Sequence, residues 1–547
     1  MKMFVTPRME ITSLAYNSRQ RPKSKPQRIK GLAFVSWLVC CTLIAALSPT
    51  ASAWAQRANE VFITAHVQIL PGESPIEAER GFFFAPENRG HDNSRLIAVS
   101  FLRFPSTSEN PGPPVFWLPG GPGDSALRRF VEGSFDPRFI NELKMMLADM
   151  RAAGDVIMMD QRGAGLSAPF LMCAKAAAPI PPEQPLTRNL QFEIEKKAAS
   201  ECKQEWRARG HDTDGYHITE LADDVKALKD VLGYEQIILF GGSFGSQWSL
   251  SIMRRHPDMV ARALLRGIED TNDTFDAPQG MLSAIKGVLK DSENDPDIAP
   301  LIPEKGFLAA IQKRIAALED NPQVVTIKDP NTGEDIDVAF GAEELRATWW
   351  RDPDGWRIGE RLGGLKWPGS LAKVVNGDYE DLARMTLYAK TNRTASMRWP
   401  AAMSTAVDCG LAGPDEIYNS YARDPATRLI GDPNIGLAGG CAGWAAKQPP
   451  AQFFDPLQTK TPVLFIHGVF DMATPYENAV NTIAGFENGR LITIERSGHN
   501  PLTDVYREDP DSLRPIIRRF LRTGSHDGVP GKITLPPLDY KGPRTAQ

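Results

Sequence analysis

The chain has 547 residues, of which 42% are hydrophobic and 24% charged, with a formal net charge of −5. That length exceeds one ordinary core and points to two domains or one large domain carrying an insertion. The composition is that of a globular protein, and an acidic balance without a basic stripe excludes a nucleic-acid binder.

The N-terminus reads apart from the fold. Lys2, Arg8, Arg19, Arg21, Lys23, Lys25, Arg28 and Lys30 form a basic lead, Gly31 to Leu47 is apolar and uncharged, and Ala51-Ser52-Ala53 and Ala53-Trp54-Ala55 are small-x-small cleavage patterns. Residues 1–55 are therefore expected to be an export signal, which implies a periplasmic or extracellular protein with no membrane contact after cleavage. The alternative is an uncleaved N-terminal membrane anchor, because the apolar run is near the lower limit for a span. Removing this segment takes away eight basic residues and Glu10, and moves the net charge from −5 to −12.

Beyond the leader, Phe62 to Phe104 alternates apolar and polar residues in patches that read as antiparallel strands opening a sheet. Val115-Phe116-Trp117-Leu118 is a fully apolar strand that runs into Pro119-Gly120-Gly121-Pro122-Gly123, a loop whose glycines let backbone N–H groups face a cavity. Asp155 to Met159 is the next buried strand, followed by Asp160-Gln161-Arg162-Gly163-Ala164-Gly165, in which Asp160 and Arg162 are expected to form a structural ion pair. Residues 174–212 form a Pro-rich and charged excursion. Ile218, Leu221, Val225, Leu228 and Leu232 then recur at helical spacing and lead to the strand Gln236 to Phe240.

The rest of the chain is organised around the turn at the end of that strand, Gly241-Gly242-Ser243-Phe244-Gly245, with a helical stretch behind it. Strand, G-x-S-x-G and helix is the context in which this motif presents a nucleophilic serine. The glycines permit the sharp turn, and the serine projects at a helix N-terminus that favours developing negative charge. Strand, helix, strand, elbow, helix is a βαβα rhythm, hence an α/β fold with a mostly parallel sheet and helices on both faces.

After Asp270 the rhythm stops. Residues 271–455 are mainly helical, with a hairpin near Val324 to Phe340, and contain Trp349, Trp350, Trp356, Trp367, Trp399 and Trp444. This segment reads as an inserted cap that divides a core of 56–270 and 456–547, its tryptophans mostly cap core. The parallel rhythm returns at Pro462 to His467 and at Leu491 to Glu495; a closing helix spans Asp511 to Leu521, and the polar, Pro-rich tail after Thr523 is expected to be loose or laid over the surface.

A serine nucleophile needs a base and an orienting acid. Asp471 follows one returning strand and His499 the other, so serine, acid and histidine come in the order and at the strand ends expected of an α/β hydrolase. His467 competes as base, but it precedes the acid and reads as a structural histidine. The N–H groups of Gly121 and Phe244 are the candidate oxyanion donors. Four cysteines remain after the leader, which permits three pairings; Cys173–Cys202 and Cys409–Cys441 are favoured because each closes a local segment. No cysteine sits on an elbow and there is no C-x-x-C or H-E-x-x-H, so no metal or cofactor is expected.

Leu118-Pro119-Gly120-Gly121-Pro122-Gly123, Asp160-Gln161-Arg162-Gly163-Ala164-Gly165 and Gly241-Gly242-Ser243-Phe244-Gly245-Ser246 together resemble the proline iminopeptidase and tripeptidyl aminopeptidase group of α/β hydrolases. His256-Pro257 and Leu265-Arg266-Gly267-Ile268 are similar to the iminopeptidases; the export signal, Ala85 to Arg89 and the cysteine placement are more similar to the secreted tripeptidyl enzymes. The resemblance implies release of one to three residues from the free N-terminus of short peptides, with acidic groups of the cap holding the substrate ammonium. Gly410-Leu411-Ala412-Gly413 follows Cys409 where such acids are expected, and Glu269 and Asp270 at the cap entrance are the candidates. A small-molecule esterase or amide hydrolase with the same triad is the alternative, and a catalytically silent binding protein on this scaffold a further one.

Overall fold

Four short runs, Val115–Leu118 (β4), Val156–Met159 (β5), Ile237–Gly242 (β6) and Val463–Gly468 (β10), are buried along their whole length. Strands covered on both faces are apolar without alternation, which is why they read as continuous hydrophobic stretches. In the computed structural model, which describes residues 58–69, 75–133, 139–173, 179–351, 357–361, 363, 365–391, 401–413 and 415–540, they form the middle of a ten-stranded sheet. The expected export signal, Trp356 and Trp399 lie outside the described residues.

The sheet is completed by Val61–Ile69 (β1), Ile76–Pro86 (β2), Leu96–Phe104 (β3), Val260–Arg266 (β7), Gly489–Glu495 (β11) and Lys532–Thr534 (β12). Its order is β1-β2-β3-β5-β4-β6-β7-β10-β11-β12. The pairs from β1 to β5 through β3 are antiparallel, and every pair from β5 to β12 is parallel. The period-2 geometry of a strand splits each run between two cores. Phe116, Leu118, Leu239 and Phe465 pack with helices Ile218–Val231 and Phe244–Arg255. Val115, Trp117, Phe240 and Leu464 pack with helices Ile140–Arg151 and Pro510–Thr523 on the other face.

Of the two expectations for the tail, it is laid against the fold and is not loose. It adds β12 beside β11, and Leu535, Leu538 and Tyr540 are buried. The parallel edge of β11 offers unpaired backbone groups. Three well-spaced apolar side chains suffice to hold a Pro-rich segment there, too few for a periodicity to register.

Between β7 and β10 the described residues are mainly helical, with one antiparallel hairpin of Gln323–Lys328 (β8) and Asp335–Phe340 (β9). Helices from Pro278–Ser292 to Glu380–Thr391 enclose a core of their own that includes Trp349, Trp350 and Trp367. The indoles of Trp349 and Trp367 donate to the carbonyls of Leu429 and Trp349, both at 2.8 Å, which satisfies their buried N–H groups. Helices Ala401–Leu411 and Ile435–Trp444 instead join the main core beside helix Arg188–Ala208, so the excursion and the end of the insertion pack together. Cys173 with Cys202 and Cys409 with Cys441 stand at disulfide distance, with Cα separations of 5.3 and 5.0 Å. Closing loops of this length stabilises by about 3–4 kcal/mol each on the chain-entropy account. No helix among the described residues is long and apolar enough to cross a membrane.

Candidate active site

The turn at Ser243 is set by excluded volume. A Cβ on Gly241 would collide with the carbonyl oxygen of Gly245, and one on Gly245 with that of Leu118. The two glycines therefore let β6, β4 and helix Phe244–Arg255 meet. Ser243 itself has φ 56° and ψ −133°, a conformation that costs a non-glycine residue about 1–3 kcal/mol. Its N–H donates to the carbonyls of Arg266 and Gly267 at 3.1 and 3.0 Å, which offsets part of that strain.

The loop after β4 lies against this serine: a Cβ on Gly120 would stand 3.3 Å from that of Ser243. Gly121 is exposed at φ 112°, a left-handed value that favours glycine. Gln161 fixes the loop, donating to the Gly120 carbonyl at 2.9 Å and accepting from the Gly123 N–H at 2.8 Å. The expected Asp160–Arg162 pair does not form. Asp160 instead accepts from the Ser125 hydroxyl at 2.9 Å and the Leu166 N–H at 2.7 Å, and burial raises its pKa to about 7. Arg162 binds Asp224 at 2.7 and 2.6 Å and the carbonyls of Glu87 and Gly215 at 2.7 Å. A fully buried guanidinium needs acceptors around its whole fork, and Asp160, engaged by its own loop, supplies none.

Asp471 and His499 come together from the loops after β10 and β11. His499 Nδ1 lies 3.0 and 2.9 Å from the two carboxylate oxygens of Asp471. The N–H groups of Ala473 and Thr474 donate to Asp471 at 2.9 Å, and the Thr474 hydroxyl at 2.7 Å. Burial alone pushes the Asp471 carboxyl up, but His499, His467 and the Thr474 N–H outweigh it and hold the group well below its usual range. An ionised Asp471 keeps the His499 proton on Nδ1 and leaves Nε2 open as acceptor. Gly267 links this pair to the elbow: a Cβ there would stand 3.1 Å from His499 Cε1, while its carbonyl receives the Ser243 N–H. His467 has both ring nitrogens committed, accepting from the Ile268 N–H at 3.0 Å and donating to the Thr474 carbonyl at 2.8 Å.

The two acids at the start of the insertion separate. Asp270 turns into its own loop, accepting from the Thr271 N–H at 2.7 Å, with Arg254 as its nearest compensating charge. Glu269 is raised well above its normal pKa by burial and then by Asp276, Asp408, Asp273 and Asp471. Burial and Asp276 push Asp408 to about 8; burial and Asp471 push Asp276 to about 6, against Arg357 and His499. A carboxylate cluster therefore adjoins the Asp471–His499 pair. Sequence reasoning missed Asp276 and Asp408, although Asp408 directly precedes the cysteine after which acids were sought. It also missed Glu360, whose carboxylate accepts the His499 N–H at 3.0 Å and so ties the insertion to the histidine loop.

A ten-stranded sheet with this order, a serine on a strained strand-to-helix turn and an acid and a histidine at later strand ends define one architecture. The family model described as alpha/beta hydrolase fold matches residues 113–296. The chain has the α/β-hydrolase fold. The model described as TAP-like protein matches residues 423–531, the part that carries Asp471 and His499. A tripeptidyl aminopeptidase of Streptomyces lividans is 24% identical over 487 residues, covering 83% of this chain and 83% of its own. A proline iminopeptidase of Arabidopsis thaliana is 26% identical over 223 residues, covering 39% of this chain and 43% of its own. One of Neisseria gonorrhoeae is 27% identical over 162 residues, covering 29% and 34%. The α/β-hydrolase chain is thus similar to both members of the expected group, and along most of its length to the tripeptidyl enzymes.

Proposed function

We propose that this protein is an exported serine aminopeptidase that releases one to three residues from the free N-terminus of short peptides. The observation that carries the reading is the partly buried group of carboxylates, Glu269, Asp276 and Asp408, that repel one another beside the Asp471–His499 pair. Grouped acids under mutual repulsion suit a cation, and the α-ammonium of a peptide is the cation an aminopeptidase must hold next to its scissile bond. In this reading Ser243 Oγ attacks the carbonyl while His499 Nε2 takes its proton. The N–H groups of Gly121 and Phe244 receive the oxyanion. His499 then protonates the leaving amine, and Asp471 stabilises the imidazolium that forms. Water repeats the sequence on the acyl-enzyme. Asp270 shapes the entrance loop rather than touching the amine.

Residues 56–270 and 456–547 are the hydrolase core, 271–455 the cap, and 1–55 the export signal. The two cysteine pairs and the secreted character implied by the leader support an oxidising compartment.

The test is hydrolysis by the mature protein of Pro-, Ala- and Ala-Ala-Pro-p-nitroanilide, N-acetyl-Ala-Ala-Pro-p-nitroanilide and p-nitrophenyl butyrate. Cleavage of the free but not the acetylated peptides is expected. Turnover of the ester alone overturns the peptidase reading in favour of an esterase, and no turnover with no fluorophosphonate labelling of Ser243 leaves a silent scaffold.

A further inference from the structure

The face of the sheet that carries helices Ala126–Glu132 and Ile140–Arg151 holds a cavity of about 460 Å³ next to the elbow. One wall is apolar, built from Trp117, Phe130, Leu143 and Met146. The other is polar and includes Gly120, Asp124, Arg129, Asn500 and Arg266. None of these residues belongs to the carboxylate cluster.

Arg266 closes β7, and its side chain passes under the turn: a Cβ on Gly242 would stand 2.8 Å from the guanidinium carbon. Its Nε is buried without a hydrogen-bond partner, and among the described residues no carboxylate is paired with it. Arg162 and Arg262 differ. Arg162 is paired with Asp224, and Arg262 donates to the Leu521 carbonyl at 2.8 Å. Asp124 does not fill the gap, because its carboxylate is engaged by Arg129 and by the Ser125 N–H at 2.9 Å. Asp124 is paired with Arg129, and Asp124 and Asp471 act on Arg266 only through space, so the guanidinium on the cavity wall has no carboxylate hydrogen-bonded to it among the described residues. A buried guanidinium N–H without an acceptor is costly, and a planar two-oxygen anion relieves it with two parallel hydrogen bonds. The cavity volume lies within the usual range of ligand pockets, about 300–1,000 Å³.

We propose that this cavity is a binding site, separate from the peptide amine site, for a small monocarboxylate bearing an apolar group. The carboxylate pairs with Arg266 and the apolar group lies on the wall of Trp117, Phe130, Leu143 and Met146. A single negative charge matches the one guanidinium here that no carboxylate hydrogen-bonds; a dianion would be repelled by Asp124 and Asp471 as well. The site stands whether or not Ser243 is a nucleophile. Gly120 and Asn500 also belong to the loops beside Ser243 and His499, so an occupant sits directly behind the candidate reaction centre.

The experiment titrates 3-phenylpropionate and, separately, 3-phenylpropionamide into the mature protein, followed by calorimetry and by tryptophan fluorescence. Ser243→Ala, Arg266→Gln and Ala126→Trp are measured in parallel. The acid is expected to bind about tenfold or more tightly than the amide, the range of a buried charge-assisted pair. Arg266→Gln removes that preference. Ala126→Trp, which places an indole in the cavity and leaves Arg266 intact, abolishes binding of both, so the proposal remains testable even if Arg266→Gln fails to fold. Ser243→Ala leaves binding unchanged. Equal affinity for acid and amide, absence of acid binding at millimolar concentration, acid binding that survives Ala126→Trp, or binding lost in Ser243→Ala would each overturn the assignment.

Discussion

The turn around Ser243 and the carboxylates around Asp276 both adjoin the Asp471–His499 pair, yet different forces assemble them. The turn is local and steric. Gly241, Ser243 and Gly245 are close in sequence, and the two glycines are each constrained by an atom of the main chain that cannot move. The carboxylate cluster is long-range and electrostatic. Glu269 and Asp276 flank the start of the long insertion and Asp408 lies far along it, and they meet at the expense of partial burial and repulsion. A steric site tolerates almost no substitution, whereas an electrostatic one changes by degrees. On the proposed function, the reaction machinery and the substrate preference therefore rest on separable parts of the structure.

Ser243→Ala and Asp408→Asn accordingly break the molecule in different ways. Loss of the nucleophile is expected to lower turnover by on the order of 10⁶ on peptide and ester substrates alike, measured as kcat for both. Equal activity of Ser243→Ala and the parent would remove the triad from consideration. Asp471→Asn keeps the hydrogen-bonding shape but sets the wrong histidine tautomer, and an expected loss of about 10⁴ in kcat with little change in KM distinguishes it from a folding defect.

The cluster gives smaller and more selective effects. Asp276→Asn with Asp408→Asn is expected to raise KM for free N-terminal peptides by about 10–100-fold, as for loss of a charge partner. The same pair should leave p-nitrophenyl butyrate nearly untouched; parallel losses on both substrates would show that the acids support the fold and not the amine. Glu360→Ala releases the backbone of His499, and about a tenfold fall in kcat is expected from the loosened base, with KM conserved.

A separate effect is on stability. Asp408 has its folded pKa raised from 3.8 to about 8, so the folded chain holds a proton that the unfolded chain releases. Stability contributed by this group is then lost as pH rises from about 4 to about 8. Thermal unfolding across that range should show the decline in the parent and a shallower one in Asp408→Asn; an unchanged slope would show that Asp408 is not buried as a strained acid.

Where residues are neighbours in the chain, the sequence was enough. The apolar runs of β4, β5, β6 and β10 announced a buried parallel sheet because their burial needs no partner to be recognised. Ser243 announced its turn because Gly241 and Gly245 leave the backbone few alternatives. Asp471 and His499 followed from order and position at strand ends, and the hydrophobic spacing of Ile218 to Leu228 from helical period. Tertiary structure decided what depends on where distant side chains end up. Asp160 and Arg162 stand two residues apart, yet one serves its own loop and the other Asp224. Glu269 and Asp270 are adjacent, yet only Glu269 joins Asp276 and Asp408. Leu535, Leu538 and Tyr540 anchor a tail that composition left either loose or laid over the surface, and the Nε of Arg266 is left without an acceptor beneath Gly242. Steric rules act on neighbours and leave a pattern in the chain. Charge pairing and burial act through space, so their outcome is fixed only when the insertion has folded back over the sheet.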